Sequence, residues 1–303
     1  MQNLMMNQRV MVAYVSTEVI KVTEPAKLMK IDKIHLINYI KEVEPDDERR
    51  QIRKSVYEKV YNRNIEIFQE EKIEVVPHRD VPVFEFDECF HAVYEILINE
   101  RKKGSYICVN ISSGPPDYVA AASIASMMVE GVEIFTVGTN IDGFTIPIEK
   151  LEDSLRDDNN QLVGTAFKIN DPIRIDRFPL PTPDLTLLKA LNVFASVPEN
   201  KRSNVNVIRE LIKKQAWKCS SSNENRMIGT SVELEDEYGN LIDNGNINDY
   251  SRLQRKEAVQ YQRSYIDRWK EEGWIEKSEI NGKRYRISKK GERYLRIFIM
   301  DDD

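Results

Sequence analysis

Residues 106–138 read YICVNISSGPPDYVAAASIASMMVEGVEIFTVG, and the fold turns on this stretch. Tyr106 to Ile111 is apolar and β-branched, the pattern of a strand buried on both faces. Ser112-Ser113-Gly114-Pro115-Pro116 then breaks the run with small residues and turn formers. Asp117 stands where a helix N-cap belongs, and Tyr118 to Val129 reads as a helix. Its small residues (Ala120, Ala121, Ala122, Ser123, Ala125 and Ser126) allow close approach to a sheet. A second apolar run, Val132 to Val137, follows Glu130-Gly131. Strand, loop, helix and strand in this space make a βαβ unit and imply a parallel sheet.

The chain before this unit repeats the alternation. Val10 to Val15 predicts a first strand, the polar loop Ser16-Thr17-Glu18 follows, and Glu18 to Met29 can form a helix interrupted at Pro25. Ile34 to Tyr39 and Ile73 to Val76 predict two more strands. Between them, Asp46 to Glu70 reads as an amphipathic surface helix on the spacing of Ile52, Val56 and Val60. Phe86 to Arg101 predicts a further helix. The expected class is α/β, a doubly wound and mainly parallel Rossmann-like sheet. In such a sheet the first and fourth strands can be neighbours where the strand order reverses, and ligands bind in the crevice outside their carboxyl ends. The candidate ligand residues are Ser16, Thr17 and Glu18 after the first strand, Asn110, Ser112, Ser113, Gly114 and Pro115 around the fourth, and Thr139 past the fifth. Hydroxyls and loop N–H groups suit a phosphate or a nucleotide edge. The same side chains can also simply close turns through their own backbone.

Motifs and composition narrow the chemistry. No GxGxxG follows the first strand and no GxxxxGK[ST] occurs, which argues against dinucleotide and P-loop chemistry. His35, His78 and His91 follow no nucleophile elbow and read as structural, with His78 in a Pro-flanked loop. The net charge of −6 argues against a general polyanion binder. Cys89, Cys108 and Cys219 have no zinc-ligand spacing, so neither metal nor cofactor is expected. The sequence shows neither a membrane-length apolar run nor a signal peptide, and the expected compartment is the cytoplasm.

Phe178-Pro179-Leu180-Pro181-Thr182-Pro183 reads as a stiff linker, since proline forbids helix and favours extended chain. The division is therefore 1–178 for the α/β domain, 179–183 for the linker and 184–303 for a second domain. In the latter, Asp184 and Ser203 or Asn204 cap two helices, and Arg252 to Glu272 predicts a third. Ile275 to Ile280 and Lys283 to Ile287 flank Asn281-Gly282, the strongest two-residue hairpin signal, and Ser288 to Phe298 closes with a helix. That order describes a winged helix. Ser251 to Ile297 holds 14 Lys/Arg against 7 Asp/Glu, a surplus of +7 in an acidic chain, as duplex DNA binding requires. Candidates for base edges and phosphates are Arg255, Lys256, Gln260, Arg263, Lys283, Arg284, Arg286, Lys289 and Lys290.

With both halves in view, the chain resembles the CRISPR-associated Rossmann-fold (CARF) transcriptional regulators with a C-terminal winged helix-turn-helix, and related archaeal regulators. The resemblance is carried by VNISSGPPDYVAAASIASMM (Val109 to Met128) and by Tyr261 to Gly291. It implies a homodimer with a pocket at the two-fold axis for a cyclic oligoadenylate or another nucleotide effector, duplex DNA as partner, and no membrane. Two departures stand out. Pro115 and Pro116 replace the family's Thr-Lys or Thr-Arg pair, removing N–H donors and a cation, and a polar insertion spans Cys219 to Asn248. The family's R-x(4–6)-H ribonuclease motif is absent. The expectation is a ligand-responsive, DNA-binding regulator that is not an enzyme. The alternative is a nucleotide-binding adaptor or ring nuclease whose winged helix docks protein.

Overall fold

A computed structural model describes residues 8–40, 47–138, 150–166, 169–217, 255–278 and 284–299. The chain divides into two compact units, Met1–Pro181 and Thr182–Asp303. The first contains β1 (Arg9–Tyr14), α1 (Ile20–Leu28), β2 (Lys33–Ile37), α2 (Glu48–Glu70), β3 (Glu74–His78), α3 (Phe86–Lys102), β4 (Tyr106–Asn110), α4 (Pro116–Met128), β5 (Val132–Thr136), a single turn α5 (Leu151–Ser154) and β6 (Ile173–Ile175). The sheet order is β3-β2-β1-β4-β5-β6. The first five strands are parallel and β6 pairs antiparallel with β5. This is the expected doubly wound α/β sheet, with the order reversing between β1 and β4. Among the described residues, Leu162 and Gly164 form isolated bridges, Arg156 to Leu162 and Glu18 to Gly164.

Period-two alternation sends each strand's side chains to two cores. Met11, Ala13, Ile34, Leu36, Cys108 and Phe135 pack with Val22 and Ala26 of α1 and Val56, Val60 and Phe68 of α2. Val10, Val12, Ile107 and Val109 take the other face, which α3 and α4 cover, and all four are fully buried. Ala121, Ala122 and Ala125 are fully buried too, so beyond Tyr118 this face of α4 lies close against its neighbours. Pro77 lies within β3, against the expectation that the strand ends before it. The strand is an edge, so proline's missing N–H costs no ladder bond.

Proline explains a second feature. Pro25 lies inside α1 and lacks the N–H that would bond the Lys21 carbonyl. Asn110 at the end of β4 donates its Nδ2–H to that carbonyl (2.9 Å). The helix defect thus becomes a tie between α1 and β4.

His78 is the last residue of β3, not a loop residue, and takes part in a buried relay. His78 Nε2 meets His35 Nδ1 at 2.9 Å, and His35 Nε2 meets Glu100 Oε1 at 3.2 Å. Glu100, 1% exposed, also accepts from Lys33 (3.2 Å), Lys103 (2.9 Å) and Ser105 (2.7 Å). Burial alone would raise the Glu100 carboxyl, but these bonds outweigh it and hold the group down to about 2. Burial pushes His35 down to about 4 and lowers His78. Histidines of the unfolded chain take up protons near pH 6.5 and its carboxylates near 4.5, whereas the folded groups wait for lower pH. All three shifts have one sign: the first unit should lose stability progressively as pH falls from about 6.5 towards 2. Urea midpoints measured across that range test this, and a flat profile between pH 7 and 4 would contradict it. His35→Gln should flatten the upper part of the slope.

The second unit comprises α6 (Leu185–Ser196), a 3₁₀ turn Glu199–Lys201, α7 (Asn204–Lys213), α8 (Arg255–Tyr261), a π turn Gln262–Ile266, α9 (Asp267–Glu271), β7 (Ile275–Lys277), β8 (Tyr285–Ile287) and α10 (Lys289–Phe298). Asp184 and Ser203 cap α6 and α7 by accepting from Leu187 N and Asn206 N. Helix α8, the π turn and α9 run on from one another and place Tyr261, Tyr265 and Trp269 in the core. Trp269 packs against Phe194 and Tyr265 with ring centroids 5.3 and 5.5 Å away. Gly273 (φ +71°) stops the helix, and β7 pairs antiparallel with β8. The Asn281-Gly282 turn, Lys283 and the segment 218–254 lie outside the described residues.

Candidate functional site

The strand order brings the loops after β1 and β4 side by side at the carboxyl edge of the sheet. Most of the polar side chains there hold the loops together. Asn110 Oδ1 accepts from Ser112 N (2.9 Å), Ser112 Oγ accepts from Val137 N (2.8 Å), and Ser113 Oγ donates to the Tyr14 carbonyl (3.1 Å). The turn-closing reading therefore describes Asn110, Ser112 and Ser113. Gly114 is exposed at φ +123°, and a Cβ there would lie 2.6 Å from Tyr118 Cδ1 and 3.1 Å from Tyr14 Cδ1. Only glycine crosses the Tyr14–Tyr118 pair, whose centroids are 5.3 Å apart. Thr139 lies outside the described residues.

Asp117 does not cap α4. Pro115 is the N-cap, no side chain caps the helix, and Pro116 opens it. Proline suits the first helical position because its fixed φ is helical and its missing N–H would be orphaned there anyway. Asp117 falls in the first turn instead. The helix N-terminus therefore faces the β1 and β4 loops without a capping group, and its dipole favours an anion there.

Glu18 is 6% exposed. Its Oε1 accepts from Lys21 Nζ (3.0 Å) and from Thr165 Oγ1, and its carbonyl accepts from Asn64 Nδ2 (3.0 Å). Oε2 is buried with no partner among the described residues. Ser16 and Thr17 are half-exposed, and Ser16 hydrogen-bonds the Tyr14 hydroxyl. The crevice thus holds two hydroxyl residues, an exposed glycine and an uncapped helix, with a buried, unpartnered carboxylate oxygen behind them. Burial pushes the nearby Cys89 thiol up to about 12, with Asp117 adding to the shift, so it is no nucleophile. Among the described residues no cluster of His, Cys, Asp or Glu could hold a metal ion.

One feature of the crevice escaped the reading of α2 as a surface helix. Helix α2 has 23 residues. That is about 34 Å, against about 17 Å for a five-residue strand. Glu58 pairs with Arg79 (2.6 Å), the residue just past β3, and Arg79 lies over the Tyr61 ring. Residues 48–55, ahead of the core residue Val56, therefore extend beyond the carboxyl edge of the sheet, and they carry Arg49, Arg50, Arg53 and Lys54. Arg50 pairs with Asp47, while Arg49 and Arg53 are exposed. The signal was the length of this basic helix against its neighbouring strands.

In the second unit the expected cations separate into two sets. Arg284 Nη1 donates to the Asn200 carbonyl (2.5 Å), tying β8 to the 3₁₀ turn, and Arg286 pairs with Glu276 across the strands (2.9 Å). Both are engaged within the unit. Arg263 is exposed in the π turn, Gln260 is half-buried, and Arg255 and Lys256 open α8. Lys289 and Lys290 are exposed in the first turn of α10. Lys290 Nζ also reaches the Glu272 carbonyl (2.6 Å).

Comparison with known proteins gives a partial match. The family model described as "HFX_2341_N:-like, N-terminal" matches residues 9–142, less than half of the chain. No curated protein matches. Among solved structures, the chain is similar to Enterococcus italicus Csm6 bound to cyclic hexa-2'-fluoro-hexa-dAMP, with 10% identity, 96% of this chain and 76% of that one covered, and a TM-score of 0.34. It is similar to Can2 from Sulfobacillus thermosulfidooxidans in complex with cyclic tetra-adenylate (12% identity, coverage 95% and 63%, TM-score 0.29). A type III CRISPR defence DNA nuclease activated by cyclic oligoadenylate also matches (13% identity, coverage 80% and 35%, TM-score 0.36). The chain spans less than two thirds of the latter two. No helix among the described residues is long and apolar enough to cross a membrane. The expectation that the chain is not an enzyme is corrected here: a nuclease stands among these neighbours, which is at odds with excluding enzymes because one ribonuclease motif is missing.

Proposed function

We propose that the first unit binds a cyclic oligoadenylate-type nucleotide at the crevice between β1 and β4, as a homodimer, and that the second unit is a winged helix that grips duplex DNA. The observation that carries the reading is the reversal of strand order, which puts two polar loops and the uncapped start of α4 at one edge. The prolines remove a cation from the loop after β4, and the overhang of α2 offers Arg49 and Arg53 for the phosphates. A two-fold ring suits a dimer, since each protomer meets half of it with the same loops. Occupancy would be read out as altered DNA affinity, a population shift between two states of the dimer.

Lys289 and Lys290 support the DNA half. Lysines in a helix's first turn oppose its dipole, an unfavourable placement in isolation that an incoming phosphate reverses. Arg286 is neutralised by Glu276 and Arg284 ties the strand to the 3₁₀ turn, so the phosphate grip falls to the exposed Arg263, Lys289 and Lys290, the last exchanging the Glu272 carbonyl for a phosphate. Electrophoretic shifts of promoter DNA across a salt series test this. The double variant Lys289→Ala/Lys290→Ala should flatten the log–log salt slope by roughly 2, and Arg286→Ala should leave it unchanged. Equal slopes in wild type and double variant would contradict the assignment.

A further inference from the structure

We propose that Phe84 and Tyr39 form a nucleobase-stacking subsite at the rim of the crevice, an inference that rests on the nucleotide reading above. Phe84 is 62% exposed. The half-buried Tyr39 ring meets it edge to face, with centroids 6.3 Å apart and planes at 65°. The T-shaped contact holds the Phe84 ring while most of the side chain stays exposed, available to a flat aromatic ligand.

Both residues stand on the carboxyl edge of the sheet, beside the candidate site. Tyr39 follows Asn38, whose Nδ2–H donates to the carbonyl of Val15, the residue before Ser16 (2.8 Å). Val15 N in turn donates to the Ile37 carbonyl (2.9 Å). On the other flank, Phe84 precedes α3, whose first turn holds Cys89. That thiol lies close enough to Asp117, in the first turn of α4, to feel its charge. The pair is thereby held next to the loop after β1, with the first turn of α3 running on from Phe84 towards α4.

The chemistry of the surroundings narrows the occupant. Two rings make far too small a patch for a protein interface, which buries on the order of 1,000 Å² or more. A single base matches it, and stacking on one exposed ring tolerates any base. Phosphates of such a ligand would meet Arg49 and Arg53 on the overhang of α2.

Titration calorimetry of the full chain with cyclic tetra-adenylate and cyclic hexa-adenylate provides the test. Phe84→Ala should weaken binding roughly 5- to 100-fold, and its thermal midpoint should match the wild type because the side chain is exposed. Phe84→Trp should retain binding, and the fluorescence of the added indole should be quenched on titration. The three native tryptophans are all buried in the second unit, so the new signal stands apart. Affinity of Phe84→Ala within twofold of wild type overturns the subsite while leaving the nucleotide reading intact. Altered self-association at unchanged affinity, measured by sedimentation, assigns Phe84 to a protein contact and equally overturns it. A wild type that binds neither ring removes the nucleotide reading, and the subsite with it.

Discussion

Gly164→Ala should destabilise the first unit by about 2–5 kcal/mol, combining strain at a left-handed backbone with displacement of packed atoms. Gly164 has φ +89°, and a Cβ there would lie 2.6 Å from the Thr17 carbonyl oxygen, 2.7 Å from Val19 N and 3.0 Å from Glu18 Cα. These are backbone atoms, so no rotamer change relieves the contact. Gly164 bridges Glu18, and Val163 accepts from Ile20 N, so the substitution pushes directly on the loop after β1. Gly104→Ala is the matched control. Its φ is +79°, yet nothing lies within 4 Å of the added carbon, so the backbone strain should act alone, at about 1–2 kcal/mol. Calorimetric unfolding of both variants should place Gly164→Ala well below Gly104→Ala. Equal midpoints would mean that the loop yields freely and that Ser16 to Glu18 are not held in place.

Trp269→Ala should cost the second unit about 4–6 kcal/mol, from the deleted ring and a carbonyl left without its donor. The ring is fully buried, and its Nε1–H donates to the Leu187 carbonyl at 3.1 Å. It bridges α6 to the rod of α8 and α9, and it lies in one core with Trp217, Tyr261, Tyr265 and Trp274. A small domain has about 0.05–0.15 kcal/mol of stability per residue, so this loss is a large share of the whole. The variant should lose the second unit's unfolding transition and its DNA shift together. Cyclic nucleotide binding should persist, because the first unit has its own core. Trp269→Phe keeps most of the volume and should lose far less.

The architecture was legible because its signals are local. Alternating strand and helix patterns, with small residues along 120–126, imply a parallel sheet whatever the rest does. The pairing of β1 with β4 also followed, since a doubly wound chain reverses there. Asp117 misled because an acidic residue before a helix resembles a cap, while the Pro115-Pro116 pair had already started the turn. The serines lie in the loop after β4, and their hydroxyls turn inward to Tyr14 and Val137, contacts that require the folded sheet. The overhang of α2 was hidden because helix length means little until the flanking strands are measured. Arg284 and Arg286 illustrate the same limit: composition counted them as free charge, whereas the fold consumes both. The π turn in the third helix of the second unit has no signature that a helical spacing argument can detect.

Isothermal titration of the full chain with cyclic tri-, tetra- and hexa-adenylate, followed by chromatography of the cell contents, tests the central claim most directly. The account predicts saturable binding of at least one ring at one molecule per two chains, and the chromatogram will tell whether the ring is held or cleaved. Three silent titrations would contradict it.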